Sequence, residues 1–169
     1  MTIAEFNALS DEAAAAELTA VCGSAHWGRL MLARRPFADV DAVRRSGGDS
    51  WSILDRCDWT EAATHHPHIG EGAAAQPASA RSQEWSQGEQ AGARDSDDDT
   101  RRHFAELSEM YDRKFERTFI ICATGLSLPD MVAALAQRLG NNPDAELGVM
   151  AEELRRITML RLDKLFADH

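Results

Sequence analysis

Apolar residues recur at intervals of three and four along the second half of this chain, and this spacing is the strongest constraint on its fold. Two stripes contain them: Phe104, Leu107, Tyr111 and Phe115, and then Leu147, Met150, Leu154, Ile157 and Leu160. Such spacing is typical of amphipathic helices. Abundant alanine and the near absence of β-branched runs also favour helices. The chain is therefore predicted to be all-α, a single-domain multi-helix bundle.

One short segment departs from this helical pattern. Residues 119–123 are apolar and include two adjacent β-branched residues, which predicts a buried extended segment in an otherwise helical chain. Thr124 and Gly125 follow it and predict a turn. The complete fold prediction is thus an all-α bundle with one short extended apolar segment.

Start and stop signals divide the first part of the chain into short helices. Asp39 is predicted to cap a helix that ends at Gly47-Gly48, and Ser50 to open the next one. A further helix is predicted from about Asp58 up to the histidines at 65 and 66. Because a residue before proline disfavours helical geometry, His66 is expected at a helix end, where its side chain can reach a cleft.

The length of 169 residues predicts one domain spanning 1–169, large enough for a single core. Within it, residues about 70–99 form a Gly/Ala/Ser-rich and acidic loop region. A structureless loop of that length is unusual in a compact domain. The region is therefore expected to be functional, partly helical around 81–93, or mobile, and Trp85 argues against pure disorder.

Charge and cysteine content exclude several classes of protein. The net charge is −10, which offers nucleic acid no general electrostatic attraction. No apolar run approaches the roughly 20 residues that span a bilayer, and the first residues do not resemble a signal peptide. The three cysteines are widely spaced without a CxxC pair, which favours reduced thiols. We expect a cytoplasmic protein that binds neither nucleic acid nor a membrane.

Histidines and a downstream carboxylate are the first candidates for chemistry. Three of the six histidines lie in His65-His66-Pro67-His68, and Glu89 with Gln90 follows about twenty positions later. A histidine titrates near neutrality, so a His and a Glu brought together can act as an acid/base pair. Metal binding and plain surface polarity are the alternatives. The separation of His66 and His68 by two residues is not the i,i+4 spacing that places two imidazoles on one helix face.

A series of short motifs in fixed order makes the chain recognisable. They are Trp27, Arg34-Arg35-Pro36-Phe37, Asp58-Trp59, His66-Pro67-His68-Ile69-Gly70, Glu84-Trp85-Ser86-Gln87-Gly88-Glu89-Gln90, Tyr111-Asp112-Arg113-Lys114-Phe115, Phe119 to Gly125, Arg138-Leu139-Gly140-Asn141, and Glu152 to Thr158. In this order and spacing the sequence resembles the 2-oxo-4-hydroxy-4-carboxy-5-ureidoimidazoline (OHCU) decarboxylase family of urate breakdown, nearly from end to end.

The resemblance implies a carboxy-lyase that needs no cofactor and no metal, and that is usually a homodimer. Its small-molecule substrate is OHCU, the product of 5-hydroxyisourate hydrolysis, and decarboxylation leaves (S)-allantoin. Functional coupling to a 5-hydroxyisourate hydrolase is implied as well. The family's catalytic histidine falls on His66 and its paired glutamate on Glu89. Its substrate-binding positions fall on Pro67, Ser86, Gln90, Phe119, Ile120, Ile121, Cys122 and Ala123.

Two positions depart from the family pattern. Many members have an arginine after the Ile-Cys-Ala stretch, where this chain has Thr124. The usual Phe-Gly-aromatic turn before that stretch is replaced by Phe115-Glu116-Arg117. Arg117 is a candidate replacement for the lost substrate-binding cation, and a surface arginine is the alternative. Arg161, on the inner face of the last helix, is expected to pair with a carboxylate such as Glu153 or Glu146.

Two other functions compete with the decarboxylase prediction. The first is a helical interaction module that kept the fold and lost the activity, which the altered turn after Phe115 would favour. The second is a metal-dependent hydrolase that uses His66, His68 and Glu89. Retention of His66, Pro67, Glu89 and Gln90 favours the enzyme.

Overall fold

Helices dominate the computed structural model, which describes residues 1–66, 68–69, 80–93 and 96–167. The described parts contain α1 Ile3–Ala8, α2 Asp11–Cys22, α3 Ala25–Leu32, α4 Val40–Trp51, α5 Arg56–Thr64, α6 Ala80–Glu89, α7 Asp98–Phe115, α8 Leu128–Arg138 and α9 Pro143–Phe166, with a single 3-10 turn at Ala91–Ala93. No strand occurs among these residues. The all-α prediction is therefore confirmed.

Polar caps begin many of these helices. Each cap side chain accepts a hydrogen bond from the backbone N–H three residues later, at Thr2, Ser10, Ser24, Asp39, Asp97 and Ser127. At Ser127 the bond is reciprocal, because Asp130 accepts from the Ser127 N–H at 3.0 Å. A cap of this kind stabilises a helix by about 1 kcal/mol. The cap predicted at Asp39 is confirmed.

The chain divides into two units. The first contains residues 1–62 and the chain from 154 onward, and the second contains residues 63–153. Helix α9 supplies residues to both units. All candidate site residues in the described chain belong to the second unit. The single domain expected from the sequence stays a prediction.

In the first unit, aromatic side chains and one glycine determine the close packing. The Phe6 ring contacts the rings of Phe37 and Phe166, with centroids 6.3 and 5.5 Å away. Trp27 is fully buried, and its indole N–H donates to the Gly47 carbonyl at 3.1 Å. A Cβ atom on Gly47 would lie 2.6 Å from Leu162 Cδ1. A larger residue at position 47 would therefore require the Leu162 side chain to shift.

The predicted helix boundary at Gly47-Gly48 is wrong. Helix α4 continues through both glycines to Trp51, and Ser50 lies inside it instead of opening a new helix. Glycine lowers helix propensity by about 1 kcal/mol relative to alanine, so a glycine pair favours a helix end when it is read locally. Here the contacts of Gly47 with Trp27 and Leu162 require a small residue in a continuous helix.

The second unit is built around an aromatic and aliphatic core. Its buried members are Phe104, Tyr111, Phe115, Phe119, Ala123, Leu128, Met131 and Leu135. Most come from α7 and α8, and the Tyr111 ring contacts those of Phe115 and Phe119. Residues 118–123 connect the two helices without forming helix or strand. The segment predicted to be extended is thus neither helix nor strand, and its extended conformation stays a prediction.

The Gly/Ala/Ser-rich region predicted at about 70–99 is described only in part. Residues 70–79, 94 and 95 lie outside the described chain. Helix α6 and the 3-10 turn cover 80–93, so this part is helical, and α7 already begins at Asp98. In the described residues, no helix is long and apolar enough to span a membrane.

Candidate active site

The face of α6 that is buried consists of polar residues. Ser82, Ser86 and Glu89 are 6%, 5% and 8% exposed, and their spacing of four and three places them on one side of the helix. Amphipathic helices ordinarily bury apolar residues, and a carboxylate is rarely buried unless it has a partner. The buried face of α6 therefore has the chemistry of a binding or catalytic surface.

The candidate base His66 lies just after the end of α5, as predicted from the proline that follows it. Its backbone N–H donates to the Ala63 carbonyl at 3.1 Å and completes a last turn. The side chain is half-buried, and its Nε2 atom is buried. Pro67, the predicted substrate contact, lies outside the described residues.

Two contacts bring the segments that carry His66 and Glu89 to the same stretch of chain. The Thr118 hydroxyl and His68 Nε2 are hydrogen-bonded at 3.3 Å, and Ile69 packs on the core that contains Phe119. On the other side, a Cβ atom on Gly92 would lie 2.1 Å from the Leu126 carbonyl oxygen, so the chain just after α6 closely approaches residue 126. Both candidate catalytic segments therefore adjoin residues 118–126, and the direct pairing of His66 with Glu89 stays a prediction.

The predicted substrate-binding stretch 119–123 buries most of its side chains in the protein. Phe119, Ile120 and Ala123 are buried, and Ile121 and Cys122 are half-buried. The Phe119 side chain packs in the core, where its ring contacts the Phe104 and Tyr111 rings. Contact of this stretch with a substrate would thus have to involve peptide groups more than the Phe119 ring.

A buried charged network beside this stretch was not predicted from the sequence. The Arg138 guanidinium donates to the Ile120 carbonyl at 2.7 Å and to Glu146 Oε1 at 2.6 Å. The Tyr111 hydroxyl donates to the same Glu146 oxygen at 2.6 Å, and the Asn141 amide donates to Oε2 at 2.8 Å. Glu146, considered above as a partner for Arg161, thus binds Arg138. Burial, and then the bond to Glu146, raise the pKa of Tyr111 far above its usual range, so its hydroxyl remains a donor.

The helical spacing of these charged residues was a signal that could have revealed the network. Arg138 lies seven residues after Met131 and three after Leu135, on the inner face of α8. Glu146 and Glu153 lie four before and three after the buried Met150, on one face of α9. A charged residue in register with an apolar stripe indicates a buried partner of opposite charge or a bound polar group.

Arg117 lies between α7 and the 119–123 stretch. Its Nε donates to the Phe115 carbonyl at 3.0 Å, whereas its Nη1 is buried and has no hydrogen-bond partner in the described chain. The preceding Glu116 has φ 54° and caps α7 in the left-handed conformation that favours glycine. This is the turn at which the family pattern has glycine, so the fold keeps the turn although the residue differs.

Among the described residues, no three His, Cys, Asp or Glu side chains converge closely enough to hold a metal ion. His68 lies near Asp112 instead, with Nδ1 and Oδ2 3.9 Å apart. The arrangement of donors thus offers a histidine, a buried carboxylate, hydroxyls and a guanidinium, which are groups for proton transfer and for binding a polar anion.

The fold and site define a class of all-helical protein in which a buried polar helix face and a histidine lie on two segments that both adjoin an irregular apolar segment. Residues 7–163 match the family model described as OHCU decarboxylase. The chain therefore belongs to the OHCU decarboxylase family, as the motifs predicted.

Individual relatives agree with this assignment. The chain is 31% identical over 151 residues to the uric acid degradation bifunctional protein TTL of Arabidopsis thaliana, covering 87% of this chain and 45% of that protein. It is 30% identical over 133 residues to the mouse 2-oxo-4-hydroxy-4-carboxy-5-ureidoimidazoline decarboxylase, covering 79% and 68%. The chain thus spans less than half the length of the plant relative.

A solved structure shares the fold. It is a crystal structure of OHCU decarboxylase in the presence of (S)-allantoin, with a TM-score of 0.76 and 32% identity. The similarity covers 90% of this chain and 99% of that one. The helical architecture described above is thus that of the family.

Proposed function

We propose that this protein decarboxylates OHCU to (S)-allantoin in urate degradation, without a cofactor. The observation that carries the proposal is the buried polar face of α6, which contains Ser86 and Glu89. The family resemblance assigns a substrate-binding role to Ser86 and a catalytic role to Glu89. Family membership supplies the substrate class, and the mouse relative is named as a decarboxylase of this compound. An interaction module that had lost its activity would have no need to bury these polar groups.

The reaction itself needs few groups from the protein. The bond between the hydroxyl-bearing ring carbon and the carboxylate breaks, CO₂ leaves, and the electron pair forms a double bond to the neighbouring ureido-bearing carbon as its C=N takes up the charge at nitrogen and is protonated. The hydroxyl of the resulting enol then loses its proton to become the ring carbonyl, and a proton adds to the ureido-bearing carbon, which gives allantoin. Hydrogen-bond donors fixed around the developing charge lower the barrier because they need no reorganisation during the step.

The candidate residues divide these tasks between them. His66 takes the substrate hydroxyl proton and returns a proton to one face of the neighbouring ureido-bearing carbon, which sets the configuration of the product. Glu89 holds His66 in one tautomer, and Ser86 and Gln90 bind the polar edge of the ring. General acid/base catalysis of this kind contributes about 10²–10⁴-fold to the rate.

Formation of OHCU in situ from urate, followed by circular dichroism of the allantoin, tests the proposal. We expect the protein to accelerate CO₂ release and to give one enantiomer. We expect His66→Gln to lose most of the acceleration and the stereoselectivity, whereas His65→Gln, which removes the neighbouring imidazole, keeps both. A racemic product at the spontaneous rate with the unmodified protein would reject the decarboxylase function. Unchanged kinetics in His66→Gln would remove this residue from the mechanism.

We assign Arg117 the role of the cation that binds the substrate carboxylate. Support comes from its buried Nη1, which makes no hydrogen bond in the described chain, and from its position next to the 119–123 stretch. Arg117→Gln, measured in the same assay, is expected to raise KM by about tenfold or more, the effect of losing a hydrogen bond to a charged group. Arg113→Gln is the matched control, since Arg113 is exposed and pairs with Glu109. If Arg117→Gln has the same KM as the unmodified protein, Arg117 does not bind the substrate carboxylate.

Assembly and coupling complete the proposal. We propose a homodimer, as the family resemblance implies, and functional coupling to a 5-hydroxyisourate hydrolase that supplies the unstable substrate. The plant relative, named a bifunctional protein of uric acid degradation, supports such coupling. Light scattering after gel filtration tests the first part, with a monomer mass as the contrary result. Added hydrolase should raise the yield of (S)-allantoin from 5-hydroxyisourate, and an unchanged yield would contradict the coupling.

A further inference from the structure

Two charged side chains hold consecutive parts of the 119–123 stretch through its backbone. Arg138 Nη1 donates to the Ile120 carbonyl at 2.7 Å, and Glu153 Oε2 accepts from the Cys122 N–H at 2.8 Å. The positively charged Arg138 thus binds the carbonyl oxygen of Ile120, and the negatively charged Glu153 binds the N–H group two residues further on. Hydrogen bonds to charged groups are about twice as strong as those between neutral groups.

Arg138 is itself immobilised. It is 7% exposed, its Nε and Nη2 both donate to Glu146 Oε1, and its guanidinium carbon lies 4.5 Å from the centre of the Phe119 ring. Glu146 is fully buried and receives further hydrogen bonds from Tyr111 and Asn141. A buried ion pair with all these bonds made has one stable arrangement, so it holds the Ile120 carbonyl in a fixed place.

These bonds leave particular peptide groups available. The Ala123 carbonyl accepts from the Leu126 N–H at 3.0 Å. The N–H groups of Ile121 and Ala123, by contrast, make no hydrogen bond in the described parts of the chain. In an extended chain, residues i and i+2 present their peptide groups to one edge and residue i+1 to the other. The extended conformation predicted for this segment would thus place the bound groups of residues 120 and 122 at one edge and the N–H groups of 121 and 123 at the other.

We propose that Arg138 and Glu153 are positioning residues, which bind one edge of the Ile120–Cys122 segment so that the N–H groups of Ile121 and Ala123 bind the substrate. The proposal rests on the proposed function for the identity of that substrate, whose ring and ureido carbonyls accept such hydrogen bonds. It reduces the number of peptide groups in the 119–123 stretch that can bind substrate. The Ile120 carbonyl is already hydrogen-bonded to Arg138, and the Cys122 N–H to Glu153.

Kinetics of Glu153 variants test the proposal. Glu153→Gln keeps an oxygen that can accept from the Cys122 N–H, whereas Glu153→Leu keeps the size and loses the acceptor. We expect Glu153→Leu to raise KM by about ten- to a hundredfold with a smaller change in kcat, and Glu153→Gln to recover most of the loss. Glu106→Leu, at an exposed carboxylate on α7, controls for the introduced leucine. If Glu153→Leu has the kinetic parameters of the unmodified protein, the proposal is wrong.

Hydrogen exchange at the Cys122 amide provides a readout that does not depend on activity. Loss of the Glu153 acceptor should accelerate exchange at Cys122 by about tenfold or more, with unchanged exchange in the middle of α7. Faster exchange together with an inactive unmodified protein would refute the proposed function and retain the positioning of the segment. Unchanged exchange would overturn the positioning itself. If Glu153→Leu does not fold, the smaller Glu153→Ala serves in both measurements.

Discussion

Helices α6 and α7 belong to the same unit and bury faces of opposite chemistry. Helix α7 buries Phe104, Tyr111 and Phe115, which are core residues in any helical protein. Helix α6 buries Ser82, Ser86 and Glu89, at the same kind of spacing. Burial of the α7 face is favourable because apolar area leaves water, at about 25 cal/mol per Å². Burial of the α6 face costs free energy unless each polar group has a hydrogen-bond partner.

From this difference we expect α7 to contribute mainly to stability and α6 mainly to function. An apolar face is retained because the fold needs it. A polar face that replaces it lowers stability or at best leaves it unchanged, so its presence indicates a use outside folding. Perturbed and costly polar groups concentrate at active sites for this reason. Substitutions in α7 should therefore change unfolding, and substitutions in α6 should change catalysis.

The largest expected effect is on catalysis at Glu89. Glu89→Gln preserves the shape of the side chain and removes the carboxylate, so kcat/KM should fall by about 10²–10⁴-fold while the free energy of unfolding changes by no more than about 2 kcal/mol. Steady-state formation of (S)-allantoin and urea unfolding measure the two quantities. Glu84→Gln is the matched control, because Glu84 is exposed on the same helix. If both variants keep full activity, the polar face of α6 is not catalytic.

In α7, Phe104 tests the opposite expectation, which is a loss of stability without a loss of catalysis. Phe104→Ala removes a buried ring that packs on Phe119 with centroids 6.3 Å apart, and should lower the free energy of unfolding by about 3 kcal/mol. Folded protein should keep kcat/KM within about threefold, since the ring lies on the core side. Chemical denaturation checks this, with Met110→Ala, at a half-exposed position of α7, expected to cost about 0.5 kcal/mol. Loss of activity without loss of stability would contradict the division of roles.

The same contrast explains how much could be predicted from the sequence. The apolar faces of α7 and α9 follow a period of 3.6, and apolar burial selects the fold that satisfies this period, so the type and the core face of these two helices were predicted. The burial of α6 could not be predicted this way, because serines and a glutamate at helical spacing look like a solvated surface. Only the resemblance to a family indicated Ser86, whereas Glu89 was also a candidate because it could form an acid/base pair with a histidine.

Two further failures have physical causes of the same kind. Charged residues are assigned to the surface by default, so the buried pair of Arg138 and Glu146 was missed although both lie in register with apolar stripes. At Gly47, local propensity favoured a helix end, and tertiary packing against Leu162 overrode it. In both cases the deciding interaction joins residues that a local reading of the sequence treats separately.

Two glycines, one near the end of α6 and one in the 3-10 turn that follows it, differ in how closely other residues approach them. A Cβ atom on Gly92 would lie 2.1 Å from the Leu126 carbonyl oxygen, whereas one on Gly88 would meet nothing within 4 Å. Gly92→Ala should therefore displace the end of α6, lowering stability by about 1–3 kcal/mol and kcat/KM by about tenfold. Gly88→Ala should instead raise the free energy of unfolding by up to about 1 kcal/mol, because alanine favours the helix. Equal stability of the two variants would show that Gly92 does not determine how the end of α6 packs.

The smallest effect is expected at Glu116, where α7 ends and the chain turns toward the 119–123 stretch. A non-glycine residue at φ 54° costs roughly 1–2 kcal/mol of stability. Glycine avoids this cost, but it loses more conformational entropy on folding, so the net gain from glycine is smaller. Glu116→Gly should thus raise the free energy of unfolding by about 0.5–1 kcal/mol. Kinetic parameters should stay unchanged, because the turn already has the conformation that glycine prefers. Thermal unfolding at several scan rates measures the gain, and Glu109→Gly, in the interior of α7, should lose about 1 kcal/mol. A destabilised Glu116→Gly would mean that the glutamate side chain, and not the backbone conformation, stabilises this junction between the apolar helix and the candidate site.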